Sequence, residues 1–531
     1  MSSGVFSKED VKEMRTRGID VAEVARQLEI FRRGAEPVRL IRPARVGDGI
    51  VQVNPDERDP FLSLHGQAAG KGRMLKFVPA SGAASRMFKD WQGSCLGGTF
   101  EPGTPSAAFL ENLARFAFYE DLKHAVARGG QDIEQCIREK RCTDILDHVL
   151  TSKGLNYAWL PKALLKFHRY PGHTRTAMEE HLAEAAFYVR DANKTCRIHF
   201  TVSQEHEPLF RELLSRVRKR YEDLFDVHYD VSFSLQHPST DTLAVDMENR
   251  LYRDRSGKIM FRPGGHGALL QNLNALDGDI VFLKNIDNIV PDSLKETTIL
   301  HKKILGGYLL RLQDEIFKSL DILSRKNIDE EQLSHILRFC REKLFISVPD
   351  GFMNSPMSAR KEILFQKLNR PLRICGMVKN EGEPGGGPFW VQGEDGTPSL
   401  QIVEQHETDP HSKEQKDIWR SSTHFNPVDL VCGIRDFRGD QFDLNRYANR
   451  NAVALSVKSY EGSDIKTLEL PGLWNGSMAH WNTVFVDVPI ETFNPVKTVD
   501  DLLRPSHLSS KEYDDGGVAA ERNEDNSSVT H

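Results

Sequence analysis

Thr195–Leu235 reads TCRIHFTVSQEHEPLFRELLSRVRKRYEDLFDVHYDVSFSL, and three periodicities follow one another within it. Thr195–Ser203 is a short β-branched and aromatic run of strand character. Glu207–Phe225 spaces Leu209, Leu213, Val217, Tyr221 and Leu224 at helical intervals, and Tyr229, Val231, Phe233 and Leu235 then alternate as in a strand. Strand, helix and strand in that order predict a parallel, right-handed crossover. Outward from it, Leu75, Phe77 and Val78 form an earlier apolar run. Gly267–Leu276 has a short helical pattern, and Asp279–Leu283 (DIVFL) is a buried strand. The expected fold is α/β, with a Rossmann-like, mixed but mainly parallel sheet carrying helical insertions.

The rest of the chain divides around that core. Residues 1–70 read as a helical N-terminal appendage: Ser7 caps a first helix, and Val21, Val24, Leu28 and Phe31 stripe a second. Residues 71–370 are the expected nucleotide-binding core, interrupted by helical stretches at about 90–155 and 293–345. Residues 371–508 complete it as a second, sugar-side lobe. Residues 509–531 are rich in Ser, Asp, Glu and Asn and are expected to be disordered.

Composition narrows the function classes. Of 531 residues, 39% are hydrophobic and 27% charged, and a net charge of −6 leaves no basic footprint for nucleic acid. No stretch of 18 apolar residues suggests a membrane span. The seven cysteines form no CxxC pair and no disulfide-like pattern, so a reducing, cytoplasmic setting is expected.

In a parallel sheet, ligands bind beyond the carboxyl ends of the strands. Four polar segments fall there: PASGAASRM after Val78, Ser203–His206, Gln236–Thr240 and Lys284–Asn288 (KNIDN). The first ends in Ser85 and Arg86, and its Ser81 and Gly82 lie where backbone N–H groups can approach a phosphate. Asp287 either holds Mg²⁺, which takes oxygen ligands, or caps a turn. Lys162 leads PKALLKFH, Gly264 and Gly265 open a short helix, and Lys497 lies in FNPVKTVDDLL. His406 and His411 could imitate metal ligands but read better as polar loop residues, Asp487 is a second metal ligand or, better, a strand-end residue, and Trp474 lines the second lobe or, better, belongs to its core.

Taken in order, SGAASRM, LPKALLKFH, RPGGHGALLQ, KNIDNIVPD and ETFNPVKTVDDLL resemble the signature segments of the UDP-sugar pyrophosphorylases, nucleotidyltransferases of the glycosyltransferase-A type. LQIVEQHE is similar to that family's sugar-binding strand. The sequence also looks like a bacterial family of unknown function. The resemblance implies transfer of a nucleotidyl group from a nucleoside triphosphate to a sugar 1-phosphate with Mg²⁺. It implies phosphate-binding roles for Arg86, Lys162 and Lys497, and base contacts from Gln236, Gly264 and Gly265. Glu404 would meet the sugar, and Asp287 would hold the metal; Asn426, in the expected sugar lobe, either contacts the sugar as well or belongs to an Asn-Pro turn. Two rivals remain: a glycosyltransferase on the same fold, and a non-catalytic nucleotide-sugar-binding protein. Where the family has glycines, this chain has Ala80, Ser81 and Ala84, and a long insertion separates Arg86 from Lys162.

Overall fold

The computed structural model of the chain describes residues 5–508, apart from 98–100, 102, 383–384 and 394. The expected tail, 509–531, lies outside the described residues. Helix α1 (Lys8–Arg17) begins at Ser7, whose hydroxyl accepts from the Asp10 N–H while the Asp10 carboxylate accepts from the Ser7 N–H. Helix α2 (Val21–Arg33) buries Val24, Leu28 and Phe31 against Leu243, Val245 and Leu468. Beyond Arg33 the expected helical appendage gives way to strands. Leu40–Pro43 pairs with Gly387–Gln392, and residues 45–51 join the main sheet.

That sheet has nine strands. In chain order they are β1 (Arg45–Val46), β2 (Gly49–Val51), β3 (Met74–Pro79), β4 (Thr195–Val202), β5 (His228–Leu235), β6 (Ile280–Lys284), β7 (Leu372–Lys379), β8 (His424–Gly433) and β9 (Asn482–Asp487). Their spatial order is β1-β2-β9-β7-β8-β6-β3-β4-β5, and only β8 runs antiparallel to its neighbours. The expected mixed, mainly parallel α/β fold is therefore present. β4 and β5 pair in parallel from Thr195 opposite His228 to Val202 opposite Leu235, as the crossover predicts.

Helices cover both faces: α3 (Arg58–Gly70), α4 (Ala177–Ala185), α5 (Glu207–Phe225), α6 (Leu269–Asn274), α7 (Lys295–Ser324) and α8 (Glu330–Lys343). Alternation along the strands assigns the faces. Val78, Ile280 and Phe282 share a core with Leu182 of α4, Leu213 of α5 and Leu309 of α7. Phe77, Val281 and Leu283 pack on the opposite side against Leu269 and Leu273 of α6. Gly307 lets α7 touch α3 backbone to backbone: a Cβ there would lie 1.9 Å from the Phe61 carbonyl oxygen. None of the described helices is long and apolar enough to cross a membrane.

The stretch around 90–155 is helical and joins the core it shares with the sheet, and within it Trp91 packs against Phe109 and Phe116. The cysteine pattern of the sequence offers no sign of the one bridge found here. Cys95 and Cys142 are disulfide-bonded, their Cα atoms 5.7 Å apart. Their separation of 47 residues gives no spacing signal; folding of the insertion brings them together.

Candidate functional site

The loops after β3, β4 and β6 leave the sheet at one edge. After β3 the chain is pinned at both ends: the Ala80 N–H donates to the Thr201 carbonyl, and the Ala84 N–H to that of Leu160 at 3.1 Å. Between them, the N–H groups of Ser81, Gly82 and Ala83 make no hydrogen bond among the described residues. Ala80 and Ala84 are fully buried in the core beneath, so their methyl groups point away from the outer face of the loop. Gly82 is exposed, and a Cβ there would meet nothing within 4 Å. The loop thus offers three successive donors without needing glycine at the flanking positions. Ser85 and Arg86 follow, exposed on a single 3-10 turn, Ser85–Phe88.

The same loop is tied to the next expected site residue. The Lys162 N–H donates to the Gly82 carbonyl at 3.0 Å, and Ala83 and Pro161 form an antiparallel bridge. The side chain of Lys162 then crosses to β6 and the C-terminal segment. Its Nζ donates to Asp287 Oδ2 at 2.7 Å and to the Val496 carbonyl at 2.8 Å. This pair is shallow, with side chains 15% and 19% exposed. The Asn494 N–H donates to Asn288 Oδ1 at 2.8 Å and the Val496 N–H to the Asp287 carbonyl at 3.0 Å. Lys497 is thereby fixed next to the pair at its backbone, with its side chain exposed. Gly82, Lys162, Asp287 and Lys497, far apart in sequence, form one cluster.

A second wall gathers the expected base and sugar residues. Gln236 follows β5 and is half-buried. Gly264 is buried with a firm packing reason, since a Cβ would come within 2.5 Å of the Thr240 carbonyl, and Gly265 has φ +75°. Close packing alone is reason enough for a glycine at position 264. The His266 ring stacks on Trp474 at 4.6 Å and senses the charge of Glu404, which links this turn to the end of the strand Pro398–Val403. Glu404 Oε1 accepts from Asn475 Nδ2 at 3.2 Å, and His406 Nδ1 lies 3.5 Å from its other oxygen. Trp474 is half-buried against the core of α6 and β6, and Asn475 is buried with its carbonyl oxygen unpartnered among the described residues. Asn426 lies in β8, and its side chain is outside the described residues.

Asp487 ends β9, which two strands separate from β6, and faces His424 at 3.4 Å, so it stands apart from Asp287. Among the described residues no group of three or more His, Cys, Asp or Glu is placed to hold a metal ion. His406 and His411 are exposed, as expected of loop residues.

Directly under this edge lies a cluster that the motifs do not announce. Lys76 of β3, Lys284 of β6, Lys302 of α7, Glu184 of α4 and Asp429 of β8 are all buried. Lys76 Nζ is 3.2 Å and Lys284 Nζ 3.4 Å from Glu184, while Lys302 pairs with Asp429. Burial pushes the Lys76 ammonium down to about 7, with Glu184 opposing and Lys302 and Lys284 reinforcing the fall. Burial alone would raise Glu184, yet the ammonium groups of Lys284, Lys76 and Lys302 hold its carboxyl well below the usual range. The cluster reaches the site through His181. Its backbone carbonyl accepts from Lys76, and its Nε2, as the protonated nitrogen, donates to the Ile286 carbonyl at 3.1 Å, one residue before Asp287. The available signal is a lysine at an inward position of each strand, Lys76 in MLKFVP and Lys284 in IVFLK.

Comparison with solved structures gives distant likenesses. UDP-glucose pyrophosphorylase from Leishmania major is 14% identical with a TM-score of 0.43, over 95% of this chain and 79% of that one. UDP-glucose phosphorylase from Trypanosoma brucei is 12% identical at 0.46, over 93% and 77%. Uridine diphosphate N-acetylglucosamine pyrophosphorylase from Trypanosoma brucei is 13% identical at 0.45, over 94% and 79%. No curated protein matches the sequence significantly. A family profile matches residues 7–508, nearly the whole described chain, and the protein belongs to that family, described as Domain of unknown function (DUF4301).

Proposed function

We propose that the protein is a nucleotidyltransferase that forms a nucleoside diphosphate sugar from a nucleoside triphosphate and a sugar 1-phosphate. The observation that supports this reading best is the convergence of Lys162 on Asp287 and Val496 beside a loop with three unpaired N–H groups. In the reaction, an oxygen of the sugar phosphate attacks the α-phosphorus in line. One P–O bond forms as the bond to pyrophosphate breaks, and the electron pair leaves with pyrophosphate. Positioning and charge neutralisation are the whole task, and a cationic edge of backbone donors and side chains suits it.

Each residue then has a role in this reading. Ser81, Gly82, Ala83 and Ser85 present donors to the phosphates, and Arg86 neutralises the departing pyrophosphate. Lys162, released from Asp287, turns to the transferred phosphoryl group, and Lys497 meets the sugar phosphate. Gln236, Gly264 and Gly265 bound the base, while Glu404 and Asn426 face the sugar hydroxyls.

Mg²⁺ is tested by the donor set. A single shallow carboxylate, Asp287, does not cage a resident ion, but it fits a cation that arrives with the triphosphate and draws its other ligands from phosphate oxygens and water. When bound there, Mg²⁺ would offset charge on the phosphate oxygens.

The experiment is a panel of nucleoside triphosphates and sugar 1-phosphates with Mg²⁺, read by pyrophosphate release. Release from at least one pair, lost in Asp287→Asn, is the expected result. Nucleotide-sugar binding without release from any pair would replace this reading with that of a binding protein.

A further inference from the structure

Away from the Lys162 and Asp287 cluster, a cavity of 980 Å³ opens between α3, α7 and the segment 186–192 that leads into β4. Its size is that of a small-molecule site. Leu62, Ala69, Phe187, Phe225, Ile299 and Leu300 supply an apolar wall, and the Phe187 ring, 45% exposed, stands edge-on to Phe225 at 5.6 Å. The exposed Phe187 ring extends the apolar surface of the hollow.

The polar groups of the cavity are unevenly satisfied. Asp191 is held by Arg197, Asp292 by Arg175 and Lys295, and Arg190 lies 3.6 Å from Asp226. Lys303 has no ion pair among the described residues, although it is half-buried. His65 is 3% exposed, and its Nε2 has no hydrogen-bond partner there. The two are close enough for the charge of Lys303 to act on His65. Burial pushes His65 down to about 4, with Lys303 adding to the fall, and burial lowers Lys303 as well. Lys303 thus carries a charge with no counter-ion among the described residues, and His65, neutral near pH 7, holds an unpaired ring nitrogen in the same lining. The free carboxylate of the lining, Glu296, lies seven residues before Lys303 on α7, about 10 Å along the helix axis. Charge is therefore positive at one end of the apolar wall and negative at the other.

We propose that this cavity binds a small amphipathic anion, an apolar body carrying one anionic group, with the anion seated at Lys303 and His65 and the body against Phe187, Ile299 and Leu300. Binding would supply the missing counter-charge, and Glu296 would disfavour the reversed orientation. This site is independent of the proposed transfer reaction.

Isothermal titration calorimetry of the full chain tests it, with sodium dodecanoate below its micelle concentration as probe. Butyrate and dodecyltrimethylammonium serve as the anion without a body and the body with the wrong charge. The expected result is saturable one-to-one binding of dodecanoate, at least tenfold tighter than either control. Lys303→Ala should weaken dodecanoate about tenfold, the scale of one charged hydrogen bond. Phe187→Asp, at an exposed position that leaves folding intact, should weaken it too, and the His65 ring resonances should shift on binding in the wild type. Absence of saturable binding, equal binding of the cationic amphiphile, or unchanged affinity in Lys303→Ala would each overturn the proposal.

Discussion

Two lysine–carboxylate sites lie within a few residues of each other at the same sheet edge, and burial separates their roles. Lys162 and Asp287 form a single pair with 15% and 19% of their side chains exposed. Lys76, Lys284 and Lys302 meet Glu184 and Asp429 with none of them more than 5% exposed. A pair near water gains little from its own attraction and can exchange partners. A buried cluster cannot, because an unpaired charge there has no solvent to turn to. The shallow pair is thus available to a ligand, whereas the deep cluster, through His181 and the Ile286 carbonyl, steadies the backbone beneath it.

The largest effect expected from breaking this contrast is at Glu184. Glu184→Gln keeps the shape but leaves three ammonium groups facing one carboxylate. The expected cost is about 3–5 kcal/mol, the scale for removing one partner of a buried pair, measured by urea denaturation. A cost under about 1 kcal/mol would mean that water reaches the cluster and that the two sites do not differ in kind.

Lys76 sharpens the same point with pH. Its folded value of about 7 lies below the unfolded lysine value of about 10.4. Between these values the unfolded chain binds the proton and the folded chain does not, so stability rises with pH across that window. Below pH 7 both states carry the proton and the folded state bears the full cost of the buried charge. Wild-type stability measured from pH 7 to 10 should climb relative to Lys76→Met, which has no such proton. Parallel curves would show that Lys76 stays charged.

The sequence made much of this legible, for physical reasons that differ by region. The β4–α5–β5 unit was readable because its side chains alternate and then wind at helical spacing, and local pattern alone fixes that geometry. Lys162, Asp287 and Lys497 stand out in the sequence only as members of an ordered set of motifs, and no local pattern tells that this lysine meets this carboxylate 125 residues away. Ala80 and Ala84 looked like obstacles to phosphate because sequence does not say where a methyl group points; both point into the core. The Cys95–Cys142 bond and the buried cluster escaped for a related reason. Both arise when distant helices close over one another, and a lysine within an apolar strand is easily passed over as a solvated exception.

The smallest stability effect expected is at the shallow pair, where function and folding should separate. Asp287→Asn removes the charge that holds Lys162 but retains a side chain of the same size. The loop stays anchored by the Lys162 N–H to Gly82 and by Val496 to the Asp287 backbone, neither of which involves the carboxylate. Its folding cost should therefore be about 1 kcal/mol or less, in the range of partly exposed pairs. Lys162→Met should cost similarly little. If the proposed reaction is correct, both variants should nonetheless lose about 10²–10³-fold in turnover, the scale for removing one charge-stabilising group from a transition state. Urea midpoints and pyrophosphate release measured on the same preparations decide it: a large loss of stability in either variant would make Lys162 and Asp287 a structural pair like the deeper ones.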